Sequence, residues 1–117
     1  MDTAIRMADE VSIFSMALWT MKEGREEEFM EAWTDFARWT NEHQRGTLGI
    51  YLMRERSNPH VLVTFGGWES DDDLLRWRGS GEYGEFLARA RELCSEVGPL
   101  TLDLVATMGM PQLVTGA

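Results

Sequence analysis

The chain has 117 residues, of which 44% are hydrophobic and 26% are charged, with only 3 prolines. This length suits one domain, and this composition is that of a globular protein rather than of a disordered segment. The formal net charge of −9, with no cluster of lysines and arginines, disfavours nucleic acid as a partner. The single cysteine, Cys94, excludes an intrachain disulfide and is expected to be a small buried hydrophobe.

The N-terminal residues, MDTAIRMADE, carry acids where a signal peptide carries a basic region. No apolar run approaches the roughly 20 residues that cross a bilayer. We therefore expect a cytoplasmic protein that does not bind membranes. The expected organisation is an N-terminal extension over residues 1–10, one domain over 11–109 and a C-terminal tail over 110–117.

The first half of the chain predicts a strand, a helix and a hairpin. Residues 11–22 are rich in β-branched and aromatic side chains and are apolar on both faces, which is typical of a strand covered on both sides. A helix then begins at three glutamates, 26–28, and presents apolar side chains at helical spacing. Residues 48–56 and 60–68 predict two strands that are joined by a Ser-Asn-Pro turn.

The acidic triplet that follows, Asp71 to Asp73, allows two interpretations. Ser70 precedes it and Asp73 lies three residues on, which is the S-x-x-D pattern of a helix capping box. A metal site needs ligands that converge, but successive carboxylates on a helix point about 100° apart. We therefore predict the start of a short helix and no metal site.

The remaining residues predict a third helix and a final strand. The helix follows a link that contains several glycines, and the strand is expected over residues 98–109. The expected apolar face of the helix consists of Tyr83, Phe86, Leu87, Ala90, Leu93, Cys94 and Val97. The complete order is the βαββαβ pattern of a ferredoxin-like α+β sandwich. Because helices cover only one face of such a sheet, we expect a second copy to cover the apolar other face in a two-fold homodimer.

Four segments in this order resemble the antibiotic biosynthesis monooxygenase family of dimeric α/β barrels: KEGREEEFMEAW, RGTLGIYLMRE, VTFGGWESDDDLLRW and GEYGEFL. The resemblance runs from about Ser12 to Thr107. It implies a homodimeric barrel with a ligand pocket between the sheet and the helices of each protomer. The family includes cofactor-free oxygenases of aromatic polyketides, heme-degrading enzymes and members with no assigned activity, so the fold alone does not decide the function.

The heme-degrading members are distinguished by an Asn, a Trp and a heme-binding His. This sequence has the matching Trp77, but Ala17 stands at the position of the Asn and Leu87 at that of the His. Leucine cannot bind iron, and neither His43 nor His60 falls at the ligand position. Heme binding or degradation is therefore the least favoured function.

The quinone-forming members offer a second comparison. Trp68 matches their strand Trp, Thr64 stands in for an Asn and can still donate a hydrogen bond, and Leu74 replaces a Tyr. Arg89 lies one residue from the position of a pocket Arg. This likeness favours oxygenation of an aromatic compound.

The aromatic side chains are either core or the walls of a pocket for a flat ligand. The candidate substrate-binding residues are Trp33, Phe36, Thr64, Trp68, Trp77, Tyr83, Phe86 and Arg89. We predict a monooxygenase that acts without a cofactor on a small aromatic or quinone-like compound. The alternative is a non-catalytic dimeric barrel that binds a small ligand. No general base is evident, since a histidine near a helix end, such as His43, is more often a dipole partner.

Overall fold

A computed structural model describes residues 13–106 and 108–109. The expected extension, 1–10, and tail, 110–117, lie outside the described residues. The described elements are β1 (Ile13–Met21), α1 (Glu26–His43), β2 (Thr47–Arg54), β3 (Val61–Trp68), α2 (Asp71–Arg78), α3 (Gly81–Leu93) and β4 (Cys94–Asp103). This order confirms the predicted ferredoxin-like α+β arrangement.

The sheet has the strand order β2-β3-β1-β4, with antiparallel neighbours throughout. Its register fixes which side chains share a face, because directly paired residues point to the same side. Ser15 pairs with Gly66 and Thr101, and Ala17 pairs with Thr64 and Pro99. These residues belong to the face that the helices cover.

The boundary between the last helix and the last strand differs from the prediction. Helix α3 ends at Leu93, so the assignment of Cys94 and Val97 to its apolar face was wrong. Cys94 pairs with Met21, and Val97 with Trp19, so the chain leaves the helix early to pair with the whole of β1. Strand β4 correspondingly ends at Asp103 rather than at residue 109.

Helix α2 begins as the capping box predicted. The backbone N–H of Asp73 donates to Ser70 Oγ at 3.1 Å, and the Ser70 hydroxyl donates to Asp73 Oδ2 at 2.8 Å. Arg76 Nη1 donates to the other carboxylate oxygen at 2.8 Å. The bonds from Ser70 and Arg76 hold the pKa of Asp73 below its ordinary value, because both stabilise the charged form.

The described helices cover one face of the sheet and leave the other face exposed. Between the sheet and the helices lies the main core, in which Phe29, Trp68, Leu74 and Leu93 are almost fully buried. On the opposite face Phe14 stacks on Phe65, and Leu18 and Leu100 remain exposed. Within the described residues, no helix is both long enough and apolar enough to cross a membrane.

Candidate functional site

A narrow pocket lies between the helix-covered face of the sheet and the helices. The empty space among its side chains, including the part open to solvent, is about 450 Å³. Most of the side chains that line it are aromatic or otherwise apolar. We call this pocket the slot.

Aromatic rings from α1, α2 and α3 form one wall of this slot. Phe36 stacks on Phe86, with ring centres 4.7 Å apart and planes 6° apart. Phe36 also stacks on Trp77 at 5.6 Å, and Tyr83 meets Trp77 edge to face at 4.8 Å. Because each ring restricts its neighbours, the wall is formed before any ligand arrives.

Two of the indole groups that line the pocket donate to threonine hydroxyl groups. Trp19 Nε1 donates to Thr64 Oγ1 at 3.0 Å, and Trp77 Nε1 donates to Thr40 Oγ1 at 2.9 Å. Thr40 is fully buried and in turn donates to the carbonyl oxygen of Phe36 at 2.9 Å. These bonds satisfy buried polar groups and fix the planes of the rings.

Most of the predicted ligand-binding residues come together at this pocket. Those that line it are Trp33, Phe36, Thr64, Trp77, Tyr83 and Phe86. They arrive from three helices and one strand, so only the tertiary fold unites them. Their role in binding a substrate stays a prediction.

Two predicted residues lie away from the pocket wall. Trp68 is fully buried behind it, where its indole packs on Trp77 at 4.9 Å and donates to Ser15 Oγ at 3.1 Å. Arg89 is partly buried on α3, where Nη2 donates to Glu28 Oε2 of α1 at 2.8 Å. Neither is among the lining residues, because Trp68 lies within the core and Arg89 pairs with an acid of α1.

Sequence reasoning missed several lining residues, which come mainly from the strands. They are Ser15, Met16, Ala17, Trp19, Ile50, Phe65, Arg78 and Pro99. The alternation of side chains along β1 was one signal in the sequence for these residues, since Ala17 and Trp19 share its helix-covered face. Arg78 gave none, because an arginine in the last turn of a helix is commonly a dipole partner.

The other reactive side chains of the described chain lie outside the pocket. Burial raises the pKa of the Cys94 thiol to about 11, so it stays protonated near neutral pH, as expected of a buried hydrophobe. His43 is exposed at the end of α1, and His60 is exposed just before β3. The described residues contain no group of three or more histidines, cysteines or acids that could hold a metal ion.

The positions that mark heme degradation take other roles here. Ala17 lines the pocket, and Leu87 packs against the main core. Neither side chain offers an atom that binds iron.

Comparison with known proteins shows which family has this architecture. The family model for antibiotic biosynthesis monooxygenases matches residues 12–89. Among curated proteins, none matches the sequence significantly.

Several solved structures share the fold at low sequence identity. SnoaB, a cofactor-independent oxygenase from Streptomyces nogalater that was solved as a mutant, is 17% identical with a TM-score of 0.75 over 85% of this chain and 98% of its own. A protein from Shewanella oneidensis is 16% identical with a TM-score of 0.76 over 84% and 95%. A conserved protein from Methanosarcina mazei is 17% identical with a TM-score of 0.75 over 83% and 96%. These likenesses show a shared fold, and the match of the family model to two thirds of the sequence shows that the chain belongs to the antibiotic biosynthesis monooxygenase family.

Proposed function

We propose that this protein is a monooxygenase that oxidises a small aromatic or quinone-like compound without a cofactor. The observation that carries the proposal is the slot walled by Phe36, Trp77, Tyr83 and Phe86, with hydroxyl groups from the strands at its floor. The wall suits a flat ring, and the hydroxyl groups suit the oxygen atoms of an aromatic ketone or phenol.

The chemistry of such a substrate explains how oxygenation proceeds without a bound redox group. An anthrone loses a proton from its methylene carbon, and the resulting anion gives an electron to dioxygen. The two radicals combine into a peroxide, which loses water to leave a quinone. One oxygen atom of O₂ becomes the new carbonyl oxygen, and the other leaves as water with the two hydrogens of the methylene group.

The protein's part is to bind the substrate and to stabilise its anion. Thr64 Oγ1 accepts from the Trp19 indole, and its own O–H makes no bond within the described chain, so it can donate to a substrate oxygen. Tyr83, whose phenol group is able to donate a hydrogen bond, also lines the pocket. Donors in an apolar slot stabilise a developing oxyanion more strongly than water-exposed donors do.

One observation favours a second function, that of a non-catalytic binding protein. The described lining residues include no carboxylate and no imidazole, which are the usual general bases. In the catalytic proposal the acidic substrate loses its proton to water, helped by the donors that stabilise its anion. In the alternative, the same pocket holds a ligand that does not react.

Oxygen consumption by purified protein with anthrone in air distinguishes the two functions. For an enzyme, we expect uptake of one O₂ per anthrone, above the rate in buffer, with formation of anthraquinone. Thr64→Val should lower this rate about tenfold or more, because it keeps the shape and removes a donor to the oxyanion. Thr34→Val changes an exposed threonine of α1 outside the slot and serves as the matched control.

Two other results would favour a non-catalytic function or heme binding. Anthrone binding with no oxygen uptake above buffer would leave the non-catalytic function. A Soret shift on titration with hemin would instead indicate heme binding.

We also propose that the protein is a homodimer in the cytoplasm. Support for the dimer comes from the exposed apolar side chains on the outer face of the sheet, among them Leu18, Met53 and Leu100. Support for the cytoplasm comes from the lone, buried cysteine.

A further inference from the structure

We propose that the pocket selects aromatic ligands that carry a negatively charged oxygen, which binds the Nε–H of Arg78 and the hydroxyl of Ser15. This inference rests on the proposed function only for the aromatic part of the ligand. It adds a substrate class, namely phenolates, enolates and carboxylates of small aromatic compounds.

Arg78 is the one formally charged side chain among the described lining residues. Its Nη2 donates to the carbonyl oxygen of Leu100 at 2.8 Å, and its Nη1 donates to Thr101 Oγ1, so two contacts with β4 hold the guanidinium. Its Nε is buried and has no acceptor within the described chain, and no carboxylate there pairs with the group. A buried cationic donor without an acceptor is costly, and a ligand oxygen would remove that cost.

The register of the sheet brings Ser15 beside this arginine. Ser15 pairs directly with Thr101, to which Arg78 is bonded, and paired side chains in a sheet have Cβ atoms about 5 Å apart. On its other side Ser15 pairs with Gly66, where the Ile50 side chain occupies the space that a Cβ would take. The arginine and the serine both line the pocket floor.

The hydrogen bonding of Ser15 makes it a donor toward the pocket. Trp68 Nε1 donates to Ser15 Oγ at 3.1 Å, and the serine O–H makes no bond within the described chain. Thr64 shows the same arrangement with Trp19. Since the free groups on the floor are donors, and one belongs to a cation, the matching ligand atom is an anionic oxygen.

This selectivity has to act at short range. The chain has a formal net charge of −9, so an anion gains nothing from the overall field of the protein. Only the short-range contacts with Arg78 and Ser15 at the pocket floor can favour an anionic ligand over a neutral one.

Calorimetric titration with 2-naphthoate and 2-naphthamide tests the inference, since the two probes share one ring system and differ in charge. We expect the wild-type protein to bind naphthoate at least tenfold more tightly than the amide. Arg78→Met should bring the two affinities within about twofold, because it removes the charge and the Nε–H and keeps an unbranched apolar stem. Arg76→Met changes a solvent-exposed arginine of the same helix and should keep the full preference.

Two further variants keep the test decisive if Arg78→Met does not fold. Arg78→Lys retains the charge but lacks the Nε–H, and Ser15→Ala removes the second donor. Each should lower the preference for naphthoate severalfold.

Every outcome of the titration bears on the inference. Equal binding of both probes to the wild-type protein would overturn it and leave the aromatic pocket of the proposed function intact. A preference that survives Arg78→Lys and Ser15→Ala would also overturn it, since the anion would then bind elsewhere. Binding of neither probe would contradict both the inference and the proposed aromatic ligand.

Discussion

At the scale of single residues, two tryptophans of α1 show how position separates pocket from packing. Trp33 and Trp39 are both half-buried. Trp33 lines the slot, whereas Trp39 stacks on Phe36 and on the exposed His43 and does not reach the lining. The same substitution at these two sites therefore compares ligand contact with packing.

We predict that Trp33→Ala and Trp39→Ala each lower the free energy of unfolding by about 1–2 kcal/mol, since each removes a half-buried ring. Only Trp33→Ala should weaken aromatic binding, by about fivefold, because an aromatic contact contributes about 1 kcal/mol. Urea denaturation and calorimetric titration with 2-naphthoate measure the two effects. Equal losses of affinity in both variants would show that Trp33 acts through packing alone.

The sequence identified the aromatic residues of the site better than the polar ones. Phe36, Trp77 and Phe86 could be predicted because helical spacing places them on faces that point toward the sheet. Ser15 and Arg78 could not, because their role depends on the pairing of β1 with β4, which joins residues more than eighty positions apart. A side chain anchored on a distant strand leaves no mark in the local sequence.

At the scale of elements, α2 is tied to the turn before β2 as well as capped. Gly46 has a φ of +85°, and a Cβ placed there would clash with the Asp73 carboxylate. The Glu69 N–H donates to the Gly46 carbonyl oxygen at 2.8 Å. The glycine thus lets the turn pass directly under the first turn of α2. An N-terminal cap such as Ser70 adds about 1 kcal/mol to the stability of the fold.

We predict that Asp73→Asn destabilises the protein at pH 7 and that this effect becomes smaller as the pH falls below about 4. The pKa of Asp73 is lower in the folded chain than its ordinary value of 3.8, so the unfolded state takes up its proton first as the pH falls. The stabilisation is therefore complete above about pH 4, and it is lost as the pH falls through the folded-state pKa.

Urea denaturation at several pH values checks this prediction. Asp72→Asn is the matched control, because Asp72 is exposed and its side chain makes no hydrogen bond to any described residue. The control should differ less from wild type at pH 7. A difference between Asp73→Asn and wild type that stays constant down to pH 2 would contradict a role for the charged carboxylate.

The start of α2 could be predicted from the sequence, whereas the end of α3 could not. Ser70 and Asp73 lie within one turn, so their bonds follow from local spacing alone. The end of α3 depends instead on β1, since Cys94 leaves the helix to pair with Met21 and the Lys22 N–H donates to the Leu93 carbonyl oxygen at 2.9 Å. Local apolar spacing continued to Val97 and so indicated a longer helix.

At the scale of the whole molecule, the outer face of the sheet carries exposed apolar side chains. The register places Leu18 opposite Val63 and Leu100 opposite Met16, so these side chains share the face that no helix covers. Leu18 is 43% exposed, and Leu100 and Met53 are each 48% exposed. An apolar surface of this extent is expected to be covered in solution.

The order of elements and both apolar faces of β1 could be predicted from the sequence, since each rests on a local pattern of side chains. The partner of the outer face could not be fixed in the same way. Exposed leucines show that burial is favourable, but they do not specify the surface that buries them.

We predict that a second copy covers this face, so that light scattering at low micromolar concentration gives about twice the chain mass of 13.4 kDa. Leu18→Lys should produce a folded monomer, because the lysine stays in water in one chain but would be desolvated in the dimer. Leu75→Lys changes a leucine on α2 that is 59% exposed and lies away from the sheet, so it should stay dimeric. A wild-type chain that is a stable monomer at this concentration would rule out the dimer. If Leu18→Lys and Leu75→Lys behave alike and both remain dimeric, the two copies associate through another surface.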